Sequence, residues 1–274
     1  MTVAVTGTSG RLGSRLAARL ADAGAAQVLV GRDASRMPDL PHAERRGGVE
    51  YADGEGMRRA LDGASTLILV SGNLSGRRLA EHATVIDAAR DAGVGRIVYV
   101  SLMGAAPDAT YLNARDHWQT ERHLAGTGMP HVVLRAGFYA TMPTVYAVDG
   151  VLRGPAGDGR ASLVTHDDLA DAVVAATLDP SVSGTLDVTG PEALTLTAAA
   201  ARIAAATGTP LRFEHESPED GFAWRSRLDA TGPQIDGWIS WYLAVARGQA
   251  AAVNDTVERL TGHPASPVEA AYRA

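Results

Sequence analysis

The fold of this chain is decided by its opening stretch, Val3-Ala4-Val5-Thr6-Gly7-Thr8-Ser9-Gly10-Arg11-Leu12-Gly13. Its first residues are apolar, which predicts a strand, and the residues from Ser14 to Ala23 follow a helical pattern. The glycines between them let the backbone turn tightly and approach a ligand without a Cβ in the way. The first N–H groups of the helix, and its positive dipole end, would then point at that ligand. This order predicts a strand–turn–helix unit that binds the pyrophosphate of a dinucleotide.

Strand and helix patterns alternate along the first half of the chain. The apolar pattern predicts strands at residues 3–5, 27–30, 67–70, 96–100 and 131–134, and helices at 12–23, 57–61, 79–92 and 115–124. Residues 49–52 predict a further strand, the third in the chain, that ends just before Asp53. Short apolar strands separated by helices indicate an α/β fold, a Rossmann-type doubly wound parallel sheet with helices on both faces.

The pattern changes after Gly150, where a glycine-rich loop is followed by less regular sequence. We therefore expect a Rossmann domain over residues 1–150 and a smaller α/β substrate lobe over residues 151–274. Within the lobe, residues 164–170 predict a capped helix start that runs to Leu178, a second helix is predicted at 196–207, and one strand near 185–188 should return to the main sheet. Three tryptophans of the lobe either floor a pocket or pack in its core: Trp224, Trp238 and Trp241.

Composition excludes several classes of function. The 274 residues carry a net charge of −6, so there is no basic surface of the kind that binds nucleic acid. No cysteine is present, which excludes disulfides, thiolate nucleophiles and Cys-ligated zinc. We expect no metal site, because His166-Asp167-Asp168 is better explained as a helix start and the other histidines, His82 among them, show no ligand spacing.

Neither a membrane span nor a signal peptide is visible, so the sequence predicts a cytoplasmic protein. All 25 basic residues are arginines. The absence of lysine excludes Schiff-base chemistry and a lysine general base.

Polar residues follow the predicted strands at positions where a cofactor would lie. Arg32 comes directly after the second strand, where an arginine suits a ribose 2′-phosphate and an acidic residue suits a 2′-hydroxyl. Since Arg32 precedes Asp33, and Arg36 lies one helical turn further on, the sequence favours NADPH over NADH. Asp53 is either an acceptor for the adenine amino group or a turn former.

Ser71 and Gly72 follow the strand at 67–70. Ligands of doubly wound sheets lie outside the carboxyl ends of the strands. The two residues are therefore expected to line the cofactor channel.

Several motifs together resemble one family. They are Thr6-Gly7-x-x-Gly10-x-Leu12-Gly13, Gly31-Arg32, Asp87-Ala88-Ala89-Arg90-Asp91-Ala92-Gly93-Val94, His117-Trp118-Gln119-Thr120-Glu121, Leu134-Arg135-Ala136-Gly137-Phe138-Tyr139, Val188-Thr189-Gly190-Pro191-Glu192-Ala193-Leu194 and Val257-Glu258-Arg259-Leu260-Thr261-Gly262. The set, in this order over nearly the whole chain, resembles the NmrA-like group of atypical short-chain dehydrogenases/reductases, in its NAD(P)H:quinone oxidoreductase branch.

The resemblance implies a Rossmann domain with a small substrate lobe, and a bound NADPH. The cofactor contacts that it implies are Gly7, Thr8, Ser9, Gly10, Arg11, Leu12, Arg32, Asp53, Ser71 and Gly72. The chain departs from the Tyr-x-x-x-Lys pair that ordinary members of the superfamily use. His117 stands at the lysine position of NmrA-like reductases and Asn113 at the tyrosine position, while Tyr111-x-x-x-Arg115 has the spacing but lies out of register.

His117 is therefore the first catalytic candidate. Its imidazole could bind a ribose hydroxyl or a quinone oxygen, or supply a proton near neutral pH, and it could also be a structural histidine. Glu121 lies one turn further on and could orient it, or pair with Arg122 or Arg115. Phe138 and Tyr139 follow the strand at 131–134 and are expected to face the nicotinamide, where they would stack on a flat substrate, with Tyr139 the second catalytic candidate.

The sequence thus predicts an NADPH-dependent reductase that passes a hydride to a quinone-like or other flat electrophilic acceptor. A quinone needs little acid catalysis, so the missing Tyr–Lys pair is tolerable. A non-catalytic NAD(P)-binding redox sensor is the alternative, and a carbonyl or ene reductase is a third possibility. The expected partners are a small-molecule substrate and at most a second copy of the chain, with no nucleic acid and no membrane.

Overall fold

The computed structural model of the chain describes residues 1–72 and 76–273. The chain divides into two units. The first comprises Met1–Ser101, Asp116–Arg135 and Leu169–Leu186, and the second comprises Leu102–Arg115, Ala136–Asp168 and Asp187–Ala274.

The first unit is built around a seven-stranded sheet with the order β10-β6-β5-β4-β1-β2-β3. Its strands are β1 Thr2–Thr6, β2 Ala26–Val30, β3 Ala43–Arg46, β4 Thr66–Val70, β5 Arg96–Leu102, β6 His131–Ala136 and β10 Gly184–Val188. β1 pairs in parallel with both β2 and β4, and the pairs β2–β3 and β4–β5 are also parallel. The chain therefore runs outward from β1 to β3 and then returns to the other side of β1, as expected for a doubly wound Rossmann-type sheet.

Helices connect these strands, as the alternating pattern predicted. They are α1 Arg11–Asp22, α2 Gly54–Ala60, α3 Arg78–Asp91, α4 Leu112–Gly126 and α6 His166–Leu178, with a short 3₁₀ helix at Ala34–Arg36. The inner face of α1 buries Leu12, Leu16 and Leu20, which are spaced at helical intervals. A core of aliphatic side chains from β1, β2, β4, β5, α2 and α3 lies within this unit, with Tyr99 of β5 fully buried among them.

The second unit holds the remaining elements. They are β7 Phe138–Tyr139, α5 Met142–Val145, β8 Val151–Gly154, β9 Arg160–Val164, β11 Ala193–Thr195, α7 Leu196–Thr207, β12 Arg212–His215, α8 Pro218–Arg225, α9 Gly232–Ala246, α10 Thr256–Thr261 and a 3₁₀ helix at Val268–Tyr272. β11, β9 and β7 form one small sheet, and β12 pairs with β8 in another. A separate core surrounds Phe138, Trp241 and Tyr242.

The domain boundary predicted at residue 150 does not coincide with the boundary between the two units. The chain leaves the first unit after Ser101 and returns to it twice, at Asp116 and at Leu169. The physical reason is that β10 joins the seven-stranded sheet although it follows residue 150, whereas residues 102–115 and 136–150 belong to the second unit although they precede or reach it. β10 is the strand that the sequence placed near residues 185–188.

The predicted position of the third strand is wrong. Residues 49–52 are not a strand, and β3 lies earlier, at Ala43-Glu44-Arg45-Arg46. β3 stands at the edge of the sheet, where no apolar pattern is required, so its polar sequence gave no strand signal.

Two helices also differ in detail from the prediction. α4 begins at Leu112, three residues before the predicted start at Arg115. α3 begins at Arg78, one residue before the predicted start, and its buried face includes Arg78 and His82. Among the helices of residues 1–72 and 76–273, none has the length and apolar character needed to cross a membrane.

Candidate functional site

The glycine turn, residues 7–13, forms a close loop at the carboxyl end of β1. Gly7 has a φ of +69°, a conformation that L side chains rarely adopt, and its carbonyl oxygen accepts a hydrogen bond from the Gly10 N–H at 2.9 Å. A Cβ added at Gly13 would lie 2.2 Å from the same carbonyl oxygen. Gly7 and Gly13 are therefore required by the turn itself.

The N-terminus of α1 has the features of an anion site. Gly10 is the N-cap in an extended conformation, no side chain caps the helix, and no acidic residue lies in the first turn. The hydroxyl oxygen of Thr8 is buried and has no hydrogen-bond partner within the described part of the chain. Uncapped helix N–H groups, a buried hydroxyl without a partner and glycines at three of the seven turn positions fit the pyrophosphate of a dinucleotide.

The residues predicted to contact the cofactor in this turn take up different positions. Ser9, Gly10 and Arg11 are exposed, Gly7 is half-buried, and Thr8 and Leu12 are buried. Leu12 belongs to the packed face of α1, so only its backbone N–H is suited to bind a phosphate.

Ser71 and Gly72 lie beside this turn because β4 is the neighbour of β1. The Val70 N–H donates to Thr6 Oγ1 at 3.0 Å, which ties the ends of the two strands together. The sequence argument missed Tyr51, whose hydroxyl donates to the Val70 carbonyl at 2.6 Å and whose ring borders both Gly7 and Gly72. Burial raises the pKa of Tyr51 to about 12, so its hydroxyl stays protonated.

Arg32 and Asp33 follow β2, and their side chains differ in their contacts. The Asp33 carboxylate accepts hydrogen bonds from the backbone N–H and the hydroxyl of Ser35, at 2.9 and 2.7 Å, and caps the 3₁₀ helix. The hydrogen bond from the Ser35 hydroxyl is the main cause that lowers the pKa of Asp33. Arg32 is exposed, and within residues 1–72 and 76–273 its side chain has no ion pair. The guanidinium of Arg32 therefore remains available at the end of β2, whereas the carboxylate of Asp33 is engaged.

Asp53 is the N-cap of α2 rather than the end of a strand. Its Oδ1 accepts a hydrogen bond from the Gly56 N–H at 2.9 Å, and the residue is exposed. The turn-former alternative thus describes what its side chain does in this structure.

His117 belongs to a polar group that we call the histidine cluster, made up of Ser71, Arg78, His82, Tyr99, His117 and Thr120. His117 is buried, and its Nδ1 lies 2.7 Å from the Tyr99 hydroxyl. His82 is fully buried, with Nδ1 3.1 Å from Thr120 Oγ1 and Nε2 3.3 Å from Ser71 Oγ. The two imidazole centroids are 6.3 Å apart. The cluster therefore connects Ser71, at the end of β4, with a histidine on each of α3 and α4.

The hydrogen bonds assign the protons of the cluster. Thr120 donates its single proton to the Asp116 carbonyl at 3.0 Å, so it accepts from Nδ1–H of His82. His82 Nε2 is then an acceptor for the Ser71 hydroxyl. The Tyr99 hydroxyl and His117 Nδ1 share a hydrogen bond of 2.7 Å, and with Tyr99 as its donor the proton of the His117 ring lies on Nε2. In that tautomer the Nε2–H is the donor that the cluster offers to a ligand.

Both histidines are neutral at pH 7. Burial is the main cause that lowers the pKa of His82 to about 3, and the positive charge of Arg78 acts in the same direction. Burial likewise holds the pKa of His117 well below its ordinary value, with Arg78 and His82 contributing. The expectation that His117 supplies a proton near neutral pH is therefore corrected, because its imidazolium form is too costly in this buried position.

Arg78 is the cation that stands closest to the two rings. Its side chain is 6% exposed, and its nearest carboxylate oxygen, on Asp116, is 3.9 Å from NH1. Its Nε is buried without a hydrogen-bond partner among the residues described. Because the nearest carboxylate is this far away, the charge of the buried guanidinium is only partly compensated, and the electrostatic potential in the cluster is positive.

Two neighbours of His117 behave differently from the sequence prediction. Glu121 does not orient His117 and does not pair with Arg122 or Arg115. It binds Arg135 through two hydrogen bonds, at 2.6 and 2.9 Å, and accepts one from the Ser101 hydroxyl at 2.6 Å. These partners lie on β6 and β5, so Glu121 attaches α4 to the sheet.

Tyr111 and Arg115 do not form a Tyr–Arg pair either. Arg115 donates from Nε to the Ala109 carbonyl at 2.7 Å, and the Tyr111 hydroxyl accepts from the Asn113 amide at 2.6 Å.

Phe138 and Tyr139 lie in the second unit. Phe138 is buried, and its ring packs edge-to-face against both Tyr111 and Trp241. Tyr139 stacks on His166 with the ring centroids 4.1 Å apart. Burial raises the pKa of Tyr139 to about 12, so it is a neutral donor and not a titrating acid at pH 7. Of the three tryptophans, Trp241 belongs to the core while Trp224 and Trp238 are half-buried.

Comparisons with known proteins agree with this geometry. A family described as NAD(P)H-binding matches residues 7–180. Quinone oxidoreductase 2 of Escherichia coli (strain K12) is 29% identical over 273 residues, which cover 96% of this chain and 94% of that protein. The (4-alkanoyl-5-oxo-2,5-dihydrofuran-3-yl)methyl phosphate reductase of Streptomyces griseus is 31% identical and covers 97% of this chain and 94% of its own length.

A solved structure is also similar over the whole chain. The crystal structure of the E. coli NADPH-dependent quinone oxidoreductase complexed with NADPH superposes with a TM-score of 0.86, at 27% identity, and covers 98% of this chain and 97% of that one. The similarity supports the fold class and the family resemblance that the motifs predicted.

Proposed function

Because the chain belongs to the NAD(P)H-binding family, we propose that it is an NADPH-dependent reductase that transfers a hydride to a quinone or another flat electrophilic acceptor. The observation that carries the proposal is the glycine turn at the end of β1, with the available guanidinium of Arg32 at the end of the neighbouring β2. The names of the two relatives, a quinone oxidoreductase and a dihydrofuranylmethyl phosphate reductase, support reduction of a flat acceptor.

The cofactor would be held by backbone more than by side chains. The N–H groups of residues 8, 9, 11 and 12 and the Thr8 hydroxyl would bind the pyrophosphate, and Arg32 the 2′-phosphate. Ser71 and Gly72 would line the channel beyond β4. Asp53 keeps Oδ2 available for the adenine amino group while Oδ1 caps α2.

When bound, the reduced nicotinamide supplies the hydride, and the acceptor also takes up one proton to become the hydroquinone. The protein provides position and hydrogen bonds. His117 would donate from Nε2 to the nicotinamide ribose or to the acceptor oxygen, and Tyr139 would donate from its hydroxyl. Both groups are neutral at pH 7 and keep their protons, so the proton of the hydroquinone comes from solvent.

Oxidation of NADPH with a panel of benzo- and naphthoquinones tests the activity. We expect turnover with NADPH and a clear preference over NADH. Arg32→Ala should weaken NADPH binding about tenfold and leave NADH binding unchanged, because a charge-assisted hydrogen bond is lost only with the phosphate. Arg59→Ala, an exposed arginine on α2, is the matched control and should change neither. Turnover with none of the quinones would contradict the proposal, and cofactor binding without turnover would favour the redox-sensor alternative.

The role of His117 is tested by two substitutions. His117→Gln keeps a neutral donor, and His117→Ala removes it, so we expect the Gln variant to retain more activity. A rise of the NADPH Kd in the Ala variant would assign the donor to the ribose. A fall in kcat at unchanged Kd would assign it to the acceptor. Equal activity of all three proteins would exclude His117 from the reaction. The cytoplasmic location and the monomeric or homodimeric state stay predictions.

A further inference from the structure

The second unit contains a cavity of about 160 Å³ with aromatic walls, which we call the aromatic cavity. Three indole rings and three phenol rings line it: Trp224, Trp238, Trp241, Tyr111, Tyr146 and Tyr242. An apolar cavity of about 150 Å³ in another protein holds one benzene molecule. The aromatic cavity therefore has room for a small aromatic ring system, with ring faces on which it could stack.

The cavity is close to electrically neutral. Arg225 is the charged side chain among its lining residues, and it is buried. Its guanidinium donates to Glu216 Oε1 at 2.6 Å, and to the carbonyl oxygens of Gly221 at 2.9 Å and Arg153 at 2.5 Å. Its charge is thus compensated inside the protein, and it lies over the rings of Trp224 and Tyr242 as part of the wall. An uncharged ligand fits these surroundings better than an anion.

The mouth of the cavity is apolar and accessible. Val145, Tyr146, Val148 and Leu228 all line the cavity and are 53, 38, 48 and 42% exposed. Large apolar side chains collected at one opening are characteristic of a binding site. Trp241 keeps a buried Nε1–H without a hydrogen-bond partner among residues 1–72 and 76–273, which a carbonyl oxygen would satisfy.

We propose that the aromatic cavity binds a flat, uncharged carbonyl compound of the size of a single-ring benzoquinone. The binding free energy would come from stacking on the indoles of Trp224 and Trp238 and from the apolar area removed from water. This inference deepens the proposed function, on which it rests for the identification of the ligand as the acceptor. The binding itself does not depend on turnover.

The test is calorimetric titration of the protein with 2-methyl-1,4-benzoquinone, with and without saturating NADP⁺, so that no reaction occurs. We expect one site, and a Kd that rises about tenfold in Trp238→Ala because a stacking face is lost. Trp118→Phe is the matched control, since Trp118 lies on α4 in the first unit, and its Kd should equal that of the unchanged protein. A sulfonated benzoquinone should bind more weakly than the uncharged probe.

An unchanged Kd in Trp238→Ala, tighter binding of the sulfonate, or no binding at all would overturn the proposal. A second copy of the chain could instead cover the apolar mouth. It would appear in light scattering as a concentration-dependent dimer that Trp238→Ala dissociates, and this result would also overturn the proposal. The same experiments distinguish failure of the proposed function from failure of the cavity assignment. Binding without quinone turnover removes only the proposed function, whereas turnover with an unchanged KM in Trp238→Ala removes only the cavity assignment.

Discussion

Acidification should destabilise this protein well above the pH at which carboxylates titrate, because His82 is buried and uncharged. Its pKa is about 3 in the folded chain, against an ordinary value of 6.5. Below about pH 6.5 the unfolded chain binds a proton at His82 that the folded chain does not, so the free energy of unfolding falls as the pH falls. The slope is about 1.4 kcal/mol per pH unit for one such group. Between about pH 7.5 and about pH 5 the loss due to His82 is about 2 kcal/mol, and His117 adds to it.

Urea unfolding followed by circular dichroism, at several pH values in that range, measures this loss. The range ends near pH 5 because most aspartates and glutamates titrate below it. Burial raises the pKa of Asp116, and this carboxyl opposes the effect of the histidines at the acid end of the range. His82→Gln removes the titrating ring and should shrink the pH-dependent loss by about 2 kcal/mol, whatever its stability at pH 7.5. His215→Gln, at an exposed histidine of β12, should keep the full loss. A free energy of unfolding that is constant down to about pH 5 would refute the inference that His82 is buried in its neutral form. An equal pH-dependent loss in His82→Gln and in the unchanged protein would also refute it.

Three further substitutions test the packing around the site. Gly13→Ala places a methyl group 2.2 Å from a backbone oxygen, so it should lower the melting temperature and weaken NADPH binding at least about tenfold by calorimetry. Gly232→Ala, whose Cβ would meet open space, should do neither. Asp168→Ala removes two hydrogen bonds to the C-terminal segment, and urea unfolding should report a loss of about 1–3 kcal/mol. Glu121→Gln should cost a similar amount by breaking the pair with Arg135 while kcat is retained, and a collapse of kcat in a folded variant would show that Glu121 orients His117 after all.

The strands around the glycine turn could be predicted because their signal is local. β1, β2 and β4 are buried on both faces and therefore have continuous apolar sequences, and a φ of +69° at Gly7 favours glycine there. β3 escaped prediction for the opposite reason. β3 lies at the sheet edge, where its charged side chains are in contact with solvent and no apolar pattern is needed. Val49, by contrast, is an apolar residue that is buried but belongs to no strand.

The histidine cluster could not be predicted from spacing, because its members meet only through the fold. His82 lies on α3, Tyr99 on β5 and His117 on α4, which are consecutive elements of the chain. Their rings come into contact because the chain passes from α3 through β5 of the sheet to α4. One local signal was present. Arg78 and His82 are four residues apart on the face of α3 that also bears Val85 and Ile86, and polar residues on an apolar helical face indicate a buried polar contact.

The chemistry of the cluster narrows the range of acceptors that the protein can reduce. At the lysine position of the family stands His117, and the cation of the cluster is the buried guanidinium of Arg78 on α3. The histidines are neutral, and burial raises the pKa of Tyr99 as well, so at pH 7 these groups act as uncharged hydrogen-bonding groups. A simple ketone develops a localised, strongly basic alkoxide, which benefits from a proton donor in the transition state. A quinone spreads the same charge over a ring and two oxygens and depends less on such a donor. We therefore expect the buried, uncharged His82 and His117 to suit a quinone-like acceptor better than a ketone, and a comparison of quinone and ketone turnover measures this preference.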